Sequence, residues 1–461
     1  MSSEEEWKTV DWKDGIIGLA EEFFLGRFNF HSMWARSLGT ILVSTALGNM
    51  GKFELTDEWG DVYANVFFIY IGRSGIAIKT PPVKMLKKIL HAYNKEVICP
   101  TNFNSASFAE WVEGTSGKVG DKQKRKKISP HPINICVADE ASRIISDTKY
   151  DPNKKDLREF ISKLWDNEIE GKYTRGMQIE GNINVYFSML AASSRHFYKL
   201  LDMDFFTQGT GNRILWIVEE KFTPPELEAD KFFYQYAKDN KFNEFRDKIV
   251  GMMRTISEAY GIWIENKAGE IWVNFANELF EAIVKLNDSE AEYSAKVALN
   301  VLKLSMCYSA SRLNIDPVNM IHIDVEDMER AIEDGKKYLK MWKLAMSQWA
   351  KYGKSEEQDD LKSGKYSVEK LVGIAFDNGG TICVSEVRAL GYPDRVKIGE
   401  RLNLGITMGL FEYANYPSKA GDGINKLSEK EYEHYNKICR GNIPMIWRVT
   451  EAGRKKCGVE V

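Results

Sequence analysis

The chain has 461 residues, with 63 Lys and Arg against 66 Asp and Glu, a formal net charge of −3 and an isoelectric point of about 6.2. That length allows two or three domains with large cores, and the near-balanced charge excludes an overall basic character, so any surface for nucleic acid or membrane is local. Cys99, Cys136, Cys307, Cys383, Cys439 and Cys457 form no C-x-x-C pair, which argues against a zinc ribbon or a disulfide framework and for a reducing, cytoplasmic setting.

The N-terminal stretch MSSEEEWKTVDWKDG is acidic and polar, unlike a signal peptide. Residues 1–60 read as a helical segment, with Phe30, Trp34, Leu38, Ile41, Leu42 and Ala46 at helical spacing. Its apolar stretch SLGTILVSTALGNMG is short and rich in Ser, Thr and Gly, so a buried helix is expected and no membrane span. VYANVFFIYI (62–71) reads as a buried strand, running into the loop GRSGIAIKT. PPVKMLKKILHAY and SASFAEWVEG read as helices, the first with proline in its opening turn. A basic insert, GKVGDKQKRKKISPH, follows. INICVADEAS (133–142) is a second strand, DLREFISKLWDNEI an amphipathic helix, GNINVYFSMLAASS (181–194) a third strand and RILWIVEE (213–220) a fourth. Strands alternating with helices imply an α/β core with a largely parallel sheet over 61–225. Residues 226–350 read as helical throughout, and 351–365 as a polar linker. In 366–461 three helices precede two short strands, LFEYAN and MIWRVT, around a Gly/Lys-rich loop. That order is the one of a winged helix-turn-helix domain.

The loop after the first strand nearly spells a phosphate cradle. In G-x-x-x-x-G-K-[ST], glycines let backbone N–H groups face phosphate oxygens, the lysine neutralises the β/γ-phosphates and the hydroxyl beside it ligates Mg²⁺. Here Gly72 lies one residue too far from Lys79, and Ile78 replaces the glycine before the lysine. Gly72, Ser74, Gly75, Lys79 and Thr80 still supply the chemical types for ATP, though a plain strand–helix loop containing a lysine fits the letters equally. Asp139 and Glu140 end the second strand, where one carboxylate can join a Mg²⁺ shell and the next polarise water. A strand ending in solvated charges is the plainer alternative. Ser193 stands where a polar group could touch the γ-phosphate, or serve only a turn. Arg213, after the glycine-spaced FFTQGTG, suits an arginine finger aimed at a neighbouring subunit's nucleotide, or a structural pair with a carboxylate.

Taken in order, IGRSGIAIKT, TNFNSASFAEWVE, ICVADEAS, SKLWDNE, YFSMLAASS, FFTQGTGNRIL and SAKVALNVLKLSM resemble a family of P-loop ATPases of phages, plasmids and archaeal mobile elements, related to primase-associated replicative helicases. The resemblance covers about residues 30–340. It implies a RecA- or AAA-like core that assembles as a ring, with Lys79 on phosphates, Thr80 and Asp139 on magnesium, Glu140 as catalytic base and Arg213 as the finger. Ile76, Ala77 and Ile78 depart from the family's loop, where glycine allows close backbone approach.

Two stretches point to DNA. Lys118, Lys122, Lys124, Arg125, Lys126 and Lys127 make a dense basic insert that could line a ring's channel or merely be solvated. In the C-terminal segment Arg395, Lys397 and Arg401 lie on the third helix and Lys419 and Lys426 in the loop, interrupted by Asp394 and Glu400. Such a helix can enter a major groove or bind protein. The expectation is an ATP-dependent DNA-handling protein, a ring-forming (possibly hexameric) helicase or translocase of a mobile element or virus with a primase or other replication protein as partner. The alternatives are a DNA-binding or scaffold protein with a decayed ATPase core, and a genome-packaging motor.

Overall fold

The structure is a computed structural model describing residues 9–28, 30–55, 60–72, 79–112, 115–116, 126–127, 133–145, 157–169, 173–174, 177–178, 183–201, 205–206, 209–219, 241–283 and 288–352, then 371–372, 374–375, 380–389, 398–399, 402–403, 406, 410–415, 427–438 and 445–451. The chain divides into two compact units, residues 1–353 and 354–461.

The first unit is an α/β fold around a four-stranded parallel sheet of β1 (Phe67–Gly72), β2 (Ile133–Ala138), β3 (Tyr186–Ser194) and β4 (Leu215–Val218), in the spatial order β4-β1-β3-β2. Ile98 adds a parallel bridge to Ile135 on the outer side of β2. The chain therefore leaves β1, crosses to the far edge, returns through β2 and β3, and then passes over β1 to reach β4. The reversal between β1 and β3 opens a crevice at the carboxyl ends of the strands, the place where open α/β sheets bind ligands.

Every residue of β1 is buried, as expected for a strand covered on both faces. On one face lies α2 (Ser32–Leu47), whose Trp34 stacks on Tyr70 with centroids 4.7 Å apart. Ser44 of α2 also meets the Tyr186 hydroxyl at 2.8 Å and Ser188 Oγ at 2.7 Å. On the other face Phe108 of α4 (Ser105–Val112) packs edge-on against Phe187 at 5.4 Å. The alternation of Tyr186 and Ser188 against Phe187 is the two-residue period of a strand.

Helices α1 (Ile16–Leu25), α3 (Thr80–Tyr93), α5 (Leu157–Trp165), α6 (Lys241–Ser257), α7 (Asn266–Ile283), α8 (Asp288–Ser311) and α9 (Val325–Tyr352) complete the unit. Its buried apolar residues form one continuous cluster, from Ile16 to Ala345. A charged network ties four helices together: Arg36 on α2 reaches Asp334 on α9 at 2.6 Å and Glu21 on α1 at 3.0 Å, while Tyr308 on α8 donates to Asp334 at 2.6 Å.

Two local expectations fail in this unit. The region 226–350 is not helical throughout, because Gly261–Ile264 and Met320–Ile323 pair as a small parallel sheet. Residues 1–60 likewise contain a strand, Lys52–Glu54, paired antiparallel with Asp61–Tyr63. These strands are three or four residues long, too short to show a period of their own beside long helices.

The second unit has its own core, including Leu371, Ile382, Val387, Leu402, Phe411 and Trp447. Its three-stranded antiparallel sheet runs Thr381–Cys383, Ile446–Val449, Phe411–Asn415. The first of these strands was not expected. Nor is the segment between LFEYAN and MIWRVT only a loop, for it contains the helix Glu429–Ile438. The signal for that helix is in the sequence: Ser428 and Glu431 form a reciprocal capping box, with Ser428 N donating to Glu431 Oε2 at 2.6 Å and Glu431 N to Ser428 Oγ at 3.4 Å. Arg448 holds Glu431 at 2.8 Å and so pins the helix to the sheet. Among the described residues no helix is long and apolar enough to cross a membrane.

Candidate functional site

The crevice at the carboxyl ends of β1, β2 and β3 gathers the polar residues singled out above. Register fixes their level: Ala191 opposes Ala138, and Ser193 and Ser194 oppose Ile71 and Gly72. Glu140, two residues beyond Ala138, therefore lies level with Ser193 and with the end of β1. Ser193 Oγ donates to Glu140 Oε1, so the serine orients the carboxylate.

Lys79 occupies the position before α3, and Thr80 is that helix's first residue. Pro81 and Pro82 suit a first turn, where backbone N–H groups lack intrahelical partners and their loss costs nothing. The lysine is half-buried, and its pKa is lowered by burial against an opposing pull from the Glu140 carboxylate. A partly desolvated ammonium beside a helix N-terminus favours an anion, because added negative charge restores what burial took away.

Lys79, Glu140 and Ser193 are thus brought together, with Gly72 at the buried end of β1 and Thr80 next to Lys79. Asp139 is turned to a different partner, Arg143, at 3.3 Å. Ser74 and Gly75, like the departures Ile76 to Ile78, lie outside the described residues. The groups at this edge able to ligate a metal are oxygens, from the Thr80 and Ser193 hydroxyls and the Asp139 and Glu140 carboxylates, which suits Mg²⁺ rather than zinc. Among the described residues no group of three or more His, Cys, Asp or Glu could hold a metal alone, and Mg²⁺ beside phosphates needs only one or two protein oxygens.

Two further residues at this edge escaped the reading of the sequence. Arg195 follows β3 directly, half-buried, with its guanidinium 5.3 Å from the Tyr352 ring centroid and a buried Nε that lacks a hydrogen-bond partner. Its signal was its place directly after Ser193 and Ser194. Glu219 follows β4 directly, buried, and accepts from the Tyr70 hydroxyl at 2.6 Å and from His31 N at 3.2 Å.

Arg213 is elsewhere. It precedes β4, whose Leu215 opposes Phe68, so the arginine is level with the start of β1. Six residues of strand at about 3.3 Å each put it roughly 20 Å from the level of Gly72. There it bonds Asp166 at 3.1 Å and the Gly209 carbonyl at 2.9 Å. The structural pair with a carboxylate is therefore realised, and Arg213 does not serve the Lys79 edge of its own chain.

Of the basic residues, Lys126 and Lys127 form a two-residue strand paired antiparallel with Thr115–Ser116. Lys118, Lys122, Lys124, Arg125, Arg395, Lys397, Arg401, Lys419 and Lys426 lie outside the described residues. Compared with known proteins, the chain matches no protein-family model and none of the curated proteins.

Proposed function

We propose that the protein hydrolyses ATP at the carboxyl edge of its parallel sheet and couples this to DNA, as a ring-forming helicase or translocase with a RecA- or AAA-like P-loop core. The observation that carries the reading is the convergence of Lys79, Glu140 and Ser193 at the crevice between β1 and β3. Three residues widely separated in sequence meet at the one edge where such sheets bind ligands.

In this reading the Lys79 ammonium and the N-terminus of α3 bind the β- and γ-phosphates, which offset the cost of burying the lysine. Glu140, held by the Ser193 hydroxyl, accepts the proton of the attacking water as the water adds to the γ-phosphorus and ADP departs. Thr80 and Asp139 would hold Mg²⁺, whose contribution is to neutralise charge on the phosphates. Asp139 would be released for this from Arg143, a partly exposed pair of the kind worth about 0–1 kcal/mol. The 241–352 helices act as the lid of the core, and the second unit as a winged helix, elaborated by the capped helix Glu429–Ile438, that docks duplex DNA or a primase-like partner. Its small antiparallel sheet and helices support that assignment.

Ile76, Ala77 and Ile78 favour one competing reading, a DNA-binding scaffold whose core has lost turnover. The experiment that separates them is the ATPase rate with and without DNA, for the native chain and Lys79→Ala. The active reading expects DNA-stimulated turnover that falls by about 100-fold or more in the variant, the scale of losing charge stabilisation at a transferring phosphate. Equal background rates for the two proteins would remove it.

A further inference from the structure

Three arginines inside the first unit are each held by carboxylates: Arg36 by Glu21 and Asp334, Arg213 by Asp166, and Arg312 by Asp324, Glu326 and Asp327. Arg195 is not. It stands directly after β3 at the carboxyl edge, half-buried, and pairs with no carboxylate among the described residues. Its Nε is buried without a hydrogen-bond partner. What the guanidinium does meet is the Tyr352 ring, 5.3 Å from the centroid, which Lys351 Nζ also approaches at 5.1 Å. A partly desolvated guanidinium that has only a shared aromatic face is poorly compensated, and an anion is the partner that completes it.

Strand geometry places Arg195 beside the phosphate position of its own chain. Ser194 is still extended, at φ −92° and ψ 169°, so Arg195 leaves β3 on the side of Ser193, whose hydroxyl orients Glu140. Ser194 is level with Gly72, and β3 and β1 are neighbouring strands, about 4.8 Å apart. The space beyond Gly72 is therefore within the length of an arginine side chain one residue further on.

The other end of this contact lies on α9. Tyr352 is the last residue of that helix, and the boundary between the two units falls directly after residue 353. The 3₁₀ turn Arg195–Leu200 leads from β3 to the same stretch of helix: Trp349 Nε1 donates to the Leu201 carbonyl at 3.0 Å, and the Trp349 ring lies 5.5 Å from that of Phe206. One side chain thus bridges the nucleotide edge and the end of α9, while Trp349 holds the helix a turn earlier.

We propose that Arg195 is a further phosphate-contacting residue of the Lys79 crevice and couples the γ-phosphate to the end of α9. This rests on the ATP-hydrolysing reading above and adds its regulation. Without a γ-phosphate the guanidinium stays on Tyr352. With one, it turns to the phosphate oxygens, because a bidentate charge-assisted contact outweighs an aromatic face already shared with Lys351. Tyr352 then loses a cation, and the last turn of α9, which leads into the second unit, loosens. The γ-phosphate shifts this equilibrium because it contacts Arg195 in only one of the two states.

Two measurements on the full chain test this. In calorimetric titrations Arg195→Met, which keeps the length but not the charge, binds Mg-ATP about 10-fold more weakly than the native chain and Mg-ADP equally well. Equal Mg-ATP affinity of the two proteins overturns the phosphate contact. In hydrogen exchange read by mass spectrometry, native amides 349–352 exchange about 10-fold faster with saturating Mg²⁺ and adenosine 5′-(γ-thio)triphosphate than with Mg-ADP, the scale of one lost cation–π contact. Arg195→Met removes that difference. So does Tyr352→Leu, which leaves the crevice intact and exchanges fast with either nucleotide. A native chain that binds both nucleotides but exchanges alike, or a difference that survives in either variant, overturns the coupling and leaves the ATPase reading standing. A native chain that does not bind Mg-ATP overturns both.

Discussion

Asp327 on α9 is fully buried and pairs with Arg312 at 3.1 Å, yet its pKa is pushed up to about 7, first by burial and then by the nearby Asp324 carboxylate. Arg312, also shared with Glu326 at 3.3 Å and Asp324 at 3.2 Å, cannot offset all of this. The folded pKa lies above the ordinary value near 3.8, so between the two the folded state holds a proton that the unfolded chain releases. Stability from this group is therefore complete at acid pH and lost as pH rises towards about 7. The expected outcome is that the native chain loses stability relative to Asp327→Asn between about pH 4 and pH 7, by on the order of a few kcal/mol at most. Urea unfolding of both proteins across that range checks it, and a constant difference contradicts it. At the same scale, Lys79, Glu140 and Ser193 were legible because each sits next to an apolar run whose end marks the edge of a sheet. Trp165, Lys296 and Lys303 were not, since a tryptophan ending one helix and lysines seven residues apart on another become a cluster only through tertiary packing.

Between elements, close approach of helices depends on small residues. Gly39 on α2 lets α1 lie against it: a Cβ there would meet Ile17 Cα at 2.8 Å and Ala20 Cβ at 3.0 Å. Gly251 on α6 faces open space, with nothing within 4 Å of such an atom. The same substitution therefore has opposite signs at the two sites. Gly251→Ala stabilises by up to about 1 kcal/mol through helix propensity, whereas Gly39→Ala destabilises by roughly 1–2 kcal/mol once the clash with the α1 backbone outweighs that gain. Thermal melts of both variants decide it, and a raised Tm for Gly39→Ala would show that α1 yields freely. The four main strands, of four to nine residues, were legible as buried apolar runs, and α3, α4, α5 and α8 by their periodicity and flanking residues. Gly261–Ile264 and Met320–Ile323 were not, because they form by pairing with each other across the intervening helices α7 and α8. Glu429–Ile438 was legible after all, through Ser428 and Glu431, but was masked by the lysines and glycines before it.

For the molecule as a whole, the two edges of the parallel sheet gather different side chains. The carboxyl edge holds a lysine, an oriented carboxylate and a helix N-terminus; at the amino edge the Arg213 guanidinium and Lys296 Nζ lie 5.4 Å and 5.2 Å from the Trp165 ring centroid, with Arg213 paired to Asp166 at 3.1 Å. Strand order could not be read from the sequence, because pairing between β1 and β3 joins residues more than a hundred positions apart. The central claim is that Mg-ATP binds at the carboxyl edge through Lys79, and its most direct measurement is a calorimetric titration of Mg-ATP into the native chain, Lys79→Ala and Arg213→Ala. The account predicts saturable binding by the native chain at about 1 μM to 1 mM, the usual range for enzyme substrates, weakened by at least ~10-fold in Lys79→Ala through loss of a charged phosphate contact, and retained in the isolated Arg213→Ala chain. Equal affinity of the native and Lys79→Ala proteins, or no binding by either, would contradict it.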